Sequence, residues 1–173
     1  MKIKKFFLIF IFFLTVDQIS KILIRSYYKI GETKNILGDF LRFTRVQNPG
    51  AVFGLRLGEG NINYLFFLFL TIVAVVFIIY LFIKSTHMLA RYALTLILSG
   101  AVGNLIDRIA FKKVTDFLDV DFWDVIVPRW YTFNVADSCI VVGVILLLIY
   151  YIFYENEENK TQAIGNQRSY NET

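Results

Sequence analysis

The chain is 173 residues long, 57% hydrophobic and 17% aromatic, with 18 Phe and 10 Tyr. Only 18% of it is charged and its mean hydropathy is +0.57. A water-soluble domain is usually about half apolar and about a quarter charged, so the balance points to an integral membrane protein. The formal charge of +4 contains no basic block and no aromatic–basic interleaving, so nucleic-acid binding is not expected. A single cysteine, Cys139, leaves no internal disulfide framework and no cysteine-rich metal site.

The first segment, "MKIKKFFLIFIFFLTV", has the basic start and apolar run of a secretory leader. "DQISKIL" follows it with no small-residue cleavage site, and the apolar character resumes, which predicts a retained helix. A spanning helix needs about 20 mostly apolar residues at 1.5 Å rise each. Four segments qualify, at about 6–24, 64–83, 88–106 and 135–154. In the connection 25–63, "FLRFTRVQ" reads as a strand, "NPG" as a turn and "AVFGL" as a second strand. Only "KSTH" separates the second and third spans, which predicts an antiparallel helical hairpin. The connection 107–134 carries "VTDFLDVDFWDVIV", strand-like in part, and the polar tail 155–173 is expected to be disordered. The fold class is therefore an all-α membrane protein, one domain over 1–154, with four transmembrane helices and a small β-sheet on the outer membrane face.

An even number of spans puts both termini on one side. Lys2, Lys4 and Lys5 at the start, and Lys84 and Arg91 around the short hairpin, place them in the cytoplasm by the positive-inside rule. The long connections carry more basic residues in total (Arg25, Lys29, Lys34, Arg42, Arg45, Arg56, Arg108, Lys112, Lys113 and Arg129), but the terminal cluster and the short loop weigh more.

Ionisable residues inside spans point by default to function. Asp17, Ser20 and Lys21 fall at i, i+3 and i+4 on one helix face, about 17–22 Å along the axis from Phe6. "SGAVGNLIDR" puts Gly100, Gly103, Asn104, Asp107 and Arg108 at the outer end of the third span, and Asn134 and Asp137 open the fourth. All three sets reach one depth. Each also has a plainer reading. Asp17 and Lys21 make an ion pair that locks helices, Ser99, Gly100, Ala101 and Gly103 allow close packing, and Asp107 beside Arg108 is structural. Asn134-x-x-Asp137 has the spacing of a helix cap. Asp119, Asp121 and Asp124 read as solvated loop carboxylates, without the glycine turn and dense oxygen ligands of a Ca²⁺ loop.

Asp116 lies between apolar neighbours in "KVTDFL". If it meets Asp137, two carboxylates share one site, one of them retains a proton, and the pair can activate water and polarise a carbonyl. The lone His87 sits in the inner hairpin, so a Ser–His mechanism and a zinc site lack parts. Ser20 and Lys21 diverge by about 100° around the helix and make no Ser–Lys pair. The competing class is a small transporter or channel, with Asp17, Lys21, Asp107, Arg108 and Asp137 as an ion path. The apolar inner halves of the second and fourth spans argue against a conduit.

Five blocks in order, "DQISK" (17–21), "NPGAVFG" (48–54), "GAVGNLIDR" (100–108), "VTDFL" (114–118) and "FNVADS" (133–138), resemble the lipoprotein signal peptidases, the type II signal peptidases of bacteria. The resemblance runs from about residue 6 to 154. It implies an aspartyl endopeptidase of the cytoplasmic membrane that cuts diacylglyceryl-modified prolipoproteins on the N-terminal side of the lipidated cysteine. It assigns the catalytic pair to Asp116 and Asp137, and polar support to Asp17, Lys21, Asn48, Gly50, Asn104, Arg108 and Asn134. It also implies an outer β-cradle, no metal and no organic cofactor, with prolipoproteins and membrane lipid as partners and a monomer as the expected state. Ser99-Gly100 stands where the family often has Gly-Gly, and the segment between Asp116 and Phe133 is somewhat long.

Overall fold

A computed structural model describes residues 2–50, 61–121 and 132–155. The element order is α1 (Lys2–Tyr27), β1 (Thr33–Leu37), β2 (Leu41–Asn48), α2 (Asn61–Lys84), α3 (Met88–Phe111), β3 (Val114–Val120) and α4 (Val135–Tyr150). α4 runs on into a π-helical turn, Tyr151–Glu155. The segment "AVFGL", Asp124 and the tail from 156 lie outside the described residues.

All four helices are long and apolar enough to cross a membrane. Their outward faces carry Leu8, Phe12, Phe69, Val76, Phe77, Ile145 and Leu148, all exposed. Apolar surface on this scale is solvated by lipid, where a helix satisfies its own backbone polar groups. The helices outrun the apolar windows. α1 begins at Lys2, α2 at Asn61, and α3 continues past Ile106 to Phe111, so Asp107 and Arg108 belong to its last turns and not to the connection. Backbone hydrogen bonding does not stop where hydropathy does.

α3 is the central helix, packed against α1, α2 and α4, and its contact with α4 is the most extensive. Ile78, Leu94, Ile97 and Ala101 form a buried cluster at its heart. Small residues let the α3 and α4 backbones approach. A Cβ on Gly143 would lie 2.8 Å from the Ala93 carbonyl oxygen, and one on Gly100 would press on the Ala136 carbonyl. α3 starts at His87, whose Nδ1 accepts from Leu89 N at 3.3 Å. Its ring lies against Tyr150 and Tyr154, with centroids 4.9 and 5.1 Å away. α3 stops at Lys112, held at φ 58° with its N–H on the Arg108 carbonyl at 2.9 Å. That tight turn delivers the chain directly into β3.

The sheet is antiparallel in the order β1-β2-β3. β2 and β3 match the strand-like segments of the two connections. β1, "TKNIL", was not expected: all five residues are exposed, so no alternation marks it. It is held by pairing with β2, including a Thr33 Oγ1–Thr44 Oγ1 contact of 3.0 Å. The β2–β3 register shifts between Phe43 and Val46. This bulge turns Arg45 back to the end of α1, where Nη1 donates to the Arg25 carbonyl at 3.0 Å and to that of Tyr28. The sheet is thereby fixed on the bundle end opposite the α2–α3 hairpin.

Candidate active site

α1 contributes a polar row spaced four apart, with Asp17 and Lys21 buried and Arg25 half-buried. Asp17 Oδ2 pairs with Lys21 Nζ at 2.9 Å. Asp17 Oδ1 accepts from Ala136 N at 2.9 Å, one of the backbone donors left free in the first turn of α4. Its negative charge thus sits at the positive end of that helix. Gly103 makes room for it, since a Cβ there would lie 2.6 Å from Asp17 Oδ2. Ser20 takes no part, because its hydroxyl turns back to the Asp17 carbonyl at 2.8 Å. Gln18 does take part, donating to Asp17 Oδ2 at 2.9 Å and to the Gly103 carbonyl at 3.1 Å.

Lys21 is fully buried and donates to Asn104 Oδ1 at 3.0 Å. Asn104 Nδ2 in turn donates to Asp137 Oδ1 at 2.8 Å. Asn134, also fully buried, is the N-cap of α4 and closes a capping box with Asp137. Its Oδ1 accepts from Asp137 N at 2.9 Å, and its own N donates to Asp137 Oδ2 at 3.1 Å. Its Nδ2 is the bridge, donating to Asp116 Oδ1 at 2.7 Å and to Asn104 Oδ1 at 3.1 Å. The cap and the carboxyl pair are one construction.

Asp116 is brought there by grips on either side of it in β3. Thr115 N donates to Asp107 Oδ2 at 2.8 Å. Leu118 pairs with Phe133 through bonds of 2.7 and 3.0 Å, which sets Asn134 beside Asp116. Asn48 adds a side-chain hydrogen bond to Asp116. It is shaped by Gly50 N donating to Asn48 Oδ1 at 2.9 Å, in a turn where Gly50 adopts φ 102°. Buried Asn63 of α2 holds that turn, donating to the Pro49 carbonyl at 3.0 Å. The half-buried Arg108 lies near enough for its charge to act on Asp137, Asp116 and Asp107.

Asp116 is 3% exposed, whereas Asp137 is half-buried. Burial, followed by the Asp137 charge, pushes the Asp116 carboxyl from 3.8 up to about 7, against the hydrogen bonds of Asn134 and Asn48 and the charge of Lys21. The charge balance agrees. Three cations, Lys21, Arg25 and Arg108, face four carboxyls, Asp17, Asp107, Asp116 and Asp137. One proton on the pair makes the buried set neutral, and desolvation favours that state.

All nine residues singled out for the site therefore fall on one end of the bundle. Asp107 has the structural role expected of it: it is 0% exposed and meets Lys21 at 3.9 Å, Arg25 at 3.1 Å and Thr115. One expectation needs correction. Asp119 is not a solvated loop carboxylate. It lies buried in β3, accepting from Thr44 Oγ1 at 2.8 Å and paired with Arg42 at 3.2 Å. Sequence reasoning missed Arg25, Thr115, Asn63 and Gln18. Only Arg25 carried a signal, as the next member of the row Asp17–Lys21.

Four apolar helices around a buried carboxyl pair at one end define a multi-pass membrane protein with a polar site. The family model for signal peptidase II matches residues 9–153. The chain is 43% identical over 155 residues to the lipoprotein signal peptidase of Borrelia hermsii, covering 86% of this chain and 91% of that one. It is 40% identical over 166 residues to that of Borreliella burgdorferi strain ZS7, covering 90% and 96%. A solved bacterial membrane enzyme superposes with a TM-score of 0.76 at 34% identity, covering 87% of this chain and 88% of that one. The chain belongs to the signal peptidase II family, a family of membrane peptidases.

Proposed function

We propose that this chain is an aspartic endopeptidase that removes signal peptides from diacylglyceryl-modified prolipoproteins, cutting on the N-terminal side of the lipidated cysteine. The observation that carries the proposal is Asn134, whose amide bonds Asp116 while its backbone and cap bond Asp137. Two carboxyls held by one residue in a buried, charge-balanced site are the equipment for acid–base hydrolysis of a peptide.

In the proposed reaction Asp137 is the carboxylate. It is the more exposed of the two, and its two oxygens accept from Asn104 Nδ2 and Asn134 N. Asp116 holds the proton. Water attacks the scissile carbonyl carbon, passing a proton to Asp137 while Asp116 protonates the carbonyl oxygen. As the gem-diol collapses, the C–N bond breaks. The leaving nitrogen takes the proton from Asp137, and a diol hydroxyl returns one to Asp116. Both carboxyls end as they began, and no metal is called for. Arg108 and Asn48 flank the pair and serve to hold the substrate backbone. We further assign the sheet end to the outer face and both termini to the cytoplasm, on the strength of the basic N-terminus and hairpin. The acylated cysteine then reaches the site sideways from lipid.

The test is incubation of detergent-purified protein, in EDTA, with a synthetic precursor peptide carrying or lacking the diacylglyceryl group. Mass spectrometry should find a product beginning with the lipidated cysteine and no cleavage of the bare peptide. Asp116→Asn and Asp137→Asn should each be inactive but folded. Turnover by either variant contradicts the pair, and ion flux through liposomes without cleavage establishes a conduit instead.

A further inference from the structure

Arg25 stands outside the carboxyl pair, yet four pieces of the fold meet on it. Its Nη1 contacts Asp107 Oδ1 at 3.1 Å, Asp107 Oδ2 at 3.3 Å and Thr115 Oγ1 at 3.1 Å. Its guanidinium lies 4.5 Å from the centroid of the Phe111 ring, on the last residue of α3. Its backbone carbonyl accepts from Arg45 of β2. The side chain is only 16% exposed and Asp107 is 0% exposed, so the ion pair is shielded from water and fixed in direction.

The geometry points to Arg25 as a positioning residue for Asp116, an inference that rests on the aspartic-peptidase reading above. Thr115 is held twice from the bundle side, its N–H by Asp107 Oδ2 and its hydroxyl by Arg25. Asp116 is the next residue and projects to the opposite face of β3, toward Asn134. Any slip or rotation of the strand at Thr115 therefore moves the Asp116 carboxyl relative to Asp137. Asp107 alone cannot prevent this, because its carboxylate needs Arg25 to fix its own orientation: Lys21, the other cation, is 3.9 Å away and already committed to Asp17 and Asn104. Arg25 thus locks α1, the end of α3 and the start of β3 into the one arrangement in which the two carboxyls converge. A Lys here keeps the charge and can donate to Asp107 and Thr115, whose bonds all come from the single Nη1 atom, but it lacks the planar group that lies over Phe111 and fixes the direction of those bonds.

A role confined to geometry at the reacting atoms predicts a loss in kcat with KM preserved. The test is steady-state cleavage of the lipidated precursor peptide by Arg25→Gln, Arg25→Lys and Thr115→Val, with Asp116→Asn as control. Thermal unfolding in detergent establishes that each variant is folded. Arg25→Gln should lower kcat about ten- to hundredfold with KM within about twofold, the range expected for misplacing a catalytic group by about an ångström. Arg25→Lys should recover part of the loss. Thr115→Val keeps the strand N–H and the side-chain volume and removes only the hydroxyl. It should lower kcat about threefold or more, and combining it with Arg25→Gln should add little further. If Arg25→Gln does not fold, Thr115→Val alone decides. Wild-type kcat in Thr115→Val, or a loss in Arg25→Gln that appears in KM, overturns the inference while an inactive Asp116→Asn leaves the aspartic reading standing. Normal turnover by Asp116→Asn removes both.

Discussion

Replacing Asn134 separates its two duties, capping α4 and bridging the carboxyls. Asn134→Ala loses both. The missing cap costs about 1 kcal/mol. Asn104 Oδ1 is not orphaned, because Lys21 Nζ still donates to it at 3.0 Å, so that loss is small. Asp116 Oδ1 loses a 2.7 Å bond in a buried site, which costs about 1–3 kcal/mol. The expected destabilisation is about 2–4 kcal/mol. Asn134→Ser keeps an oxygen able to cap but too short to bridge, so it should be about 1 kcal/mol more stable than the Ala variant. Both lose the amide that favours the ionised form of Asp116, so the pH at which that carboxyl ionises should rise above about 7 by about one unit, at 1.36 kcal/mol per unit. Unfolding in detergent reads the stabilities, and the alkaline limb of kcat/KM for the lipidated precursor reads the proton. Equal stability of the two variants would show that Asn134 does not cap, and an unshifted limb in both would show that it does not act on Asp116.

Four further outcomes are expected. The raised proton affinity of Asp116 means that the acid is present below about 7 and lost above it, so kcat/KM should fall as pH rises through that value. The same shift contributes stability that is complete below 3.8 and disappears as pH rises through about 7, a slope that Asp116→Asn should remove from unfolding curves. Gly100→Ala, which drives a methyl into the Ala136 carbonyl, should destabilise the α3–α4 contact by about 1–3 kcal/mol, read as a lower Tm. Single cysteines placed in sealed vesicles at Ser85, in the helical hairpin, and at Asn35, in β1, should be labelled by an impermeant reagent from opposite sides. Labelling from the same side contradicts the four-span topology.

Periodicity and hydropathy made the spans legible because lipid imposes one rule on every residue of a spanning helix. The convergence of the "DQISK", "GNLIDR" and "FNVADS" blocks at one depth was equally readable, since rise per residue converts position into height. The cap at Asn134 was visible from spacing alone. What it also bridges was not, because Asp116 arrives through the pairing of Leu118 with Phe133, and strand register is not written locally. Asp119 shows the same limit: its partners Thr44 and Arg42 are 75 and 77 residues away. β1 was missed because it has no buried face to impose alternation. Arg25 read as one of many basic residues in a loop, since the helix that carries it continues beyond its apolar window to Tyr27.

The most direct measurement is the infrared difference spectrum of the resting protein, taken with Asp116→Asn and Asp137→Asn in turn. A neutral buried site with its proton on Asp116 predicts one protonated carboxyl band that titrates near about 7, vanishes in Asp116→Asn and persists in Asp137→Asn. A band that vanishes in Asp137→Asn and persists in Asp116→Asn places the proton on the other carboxyl and reverses the roles of acid and base.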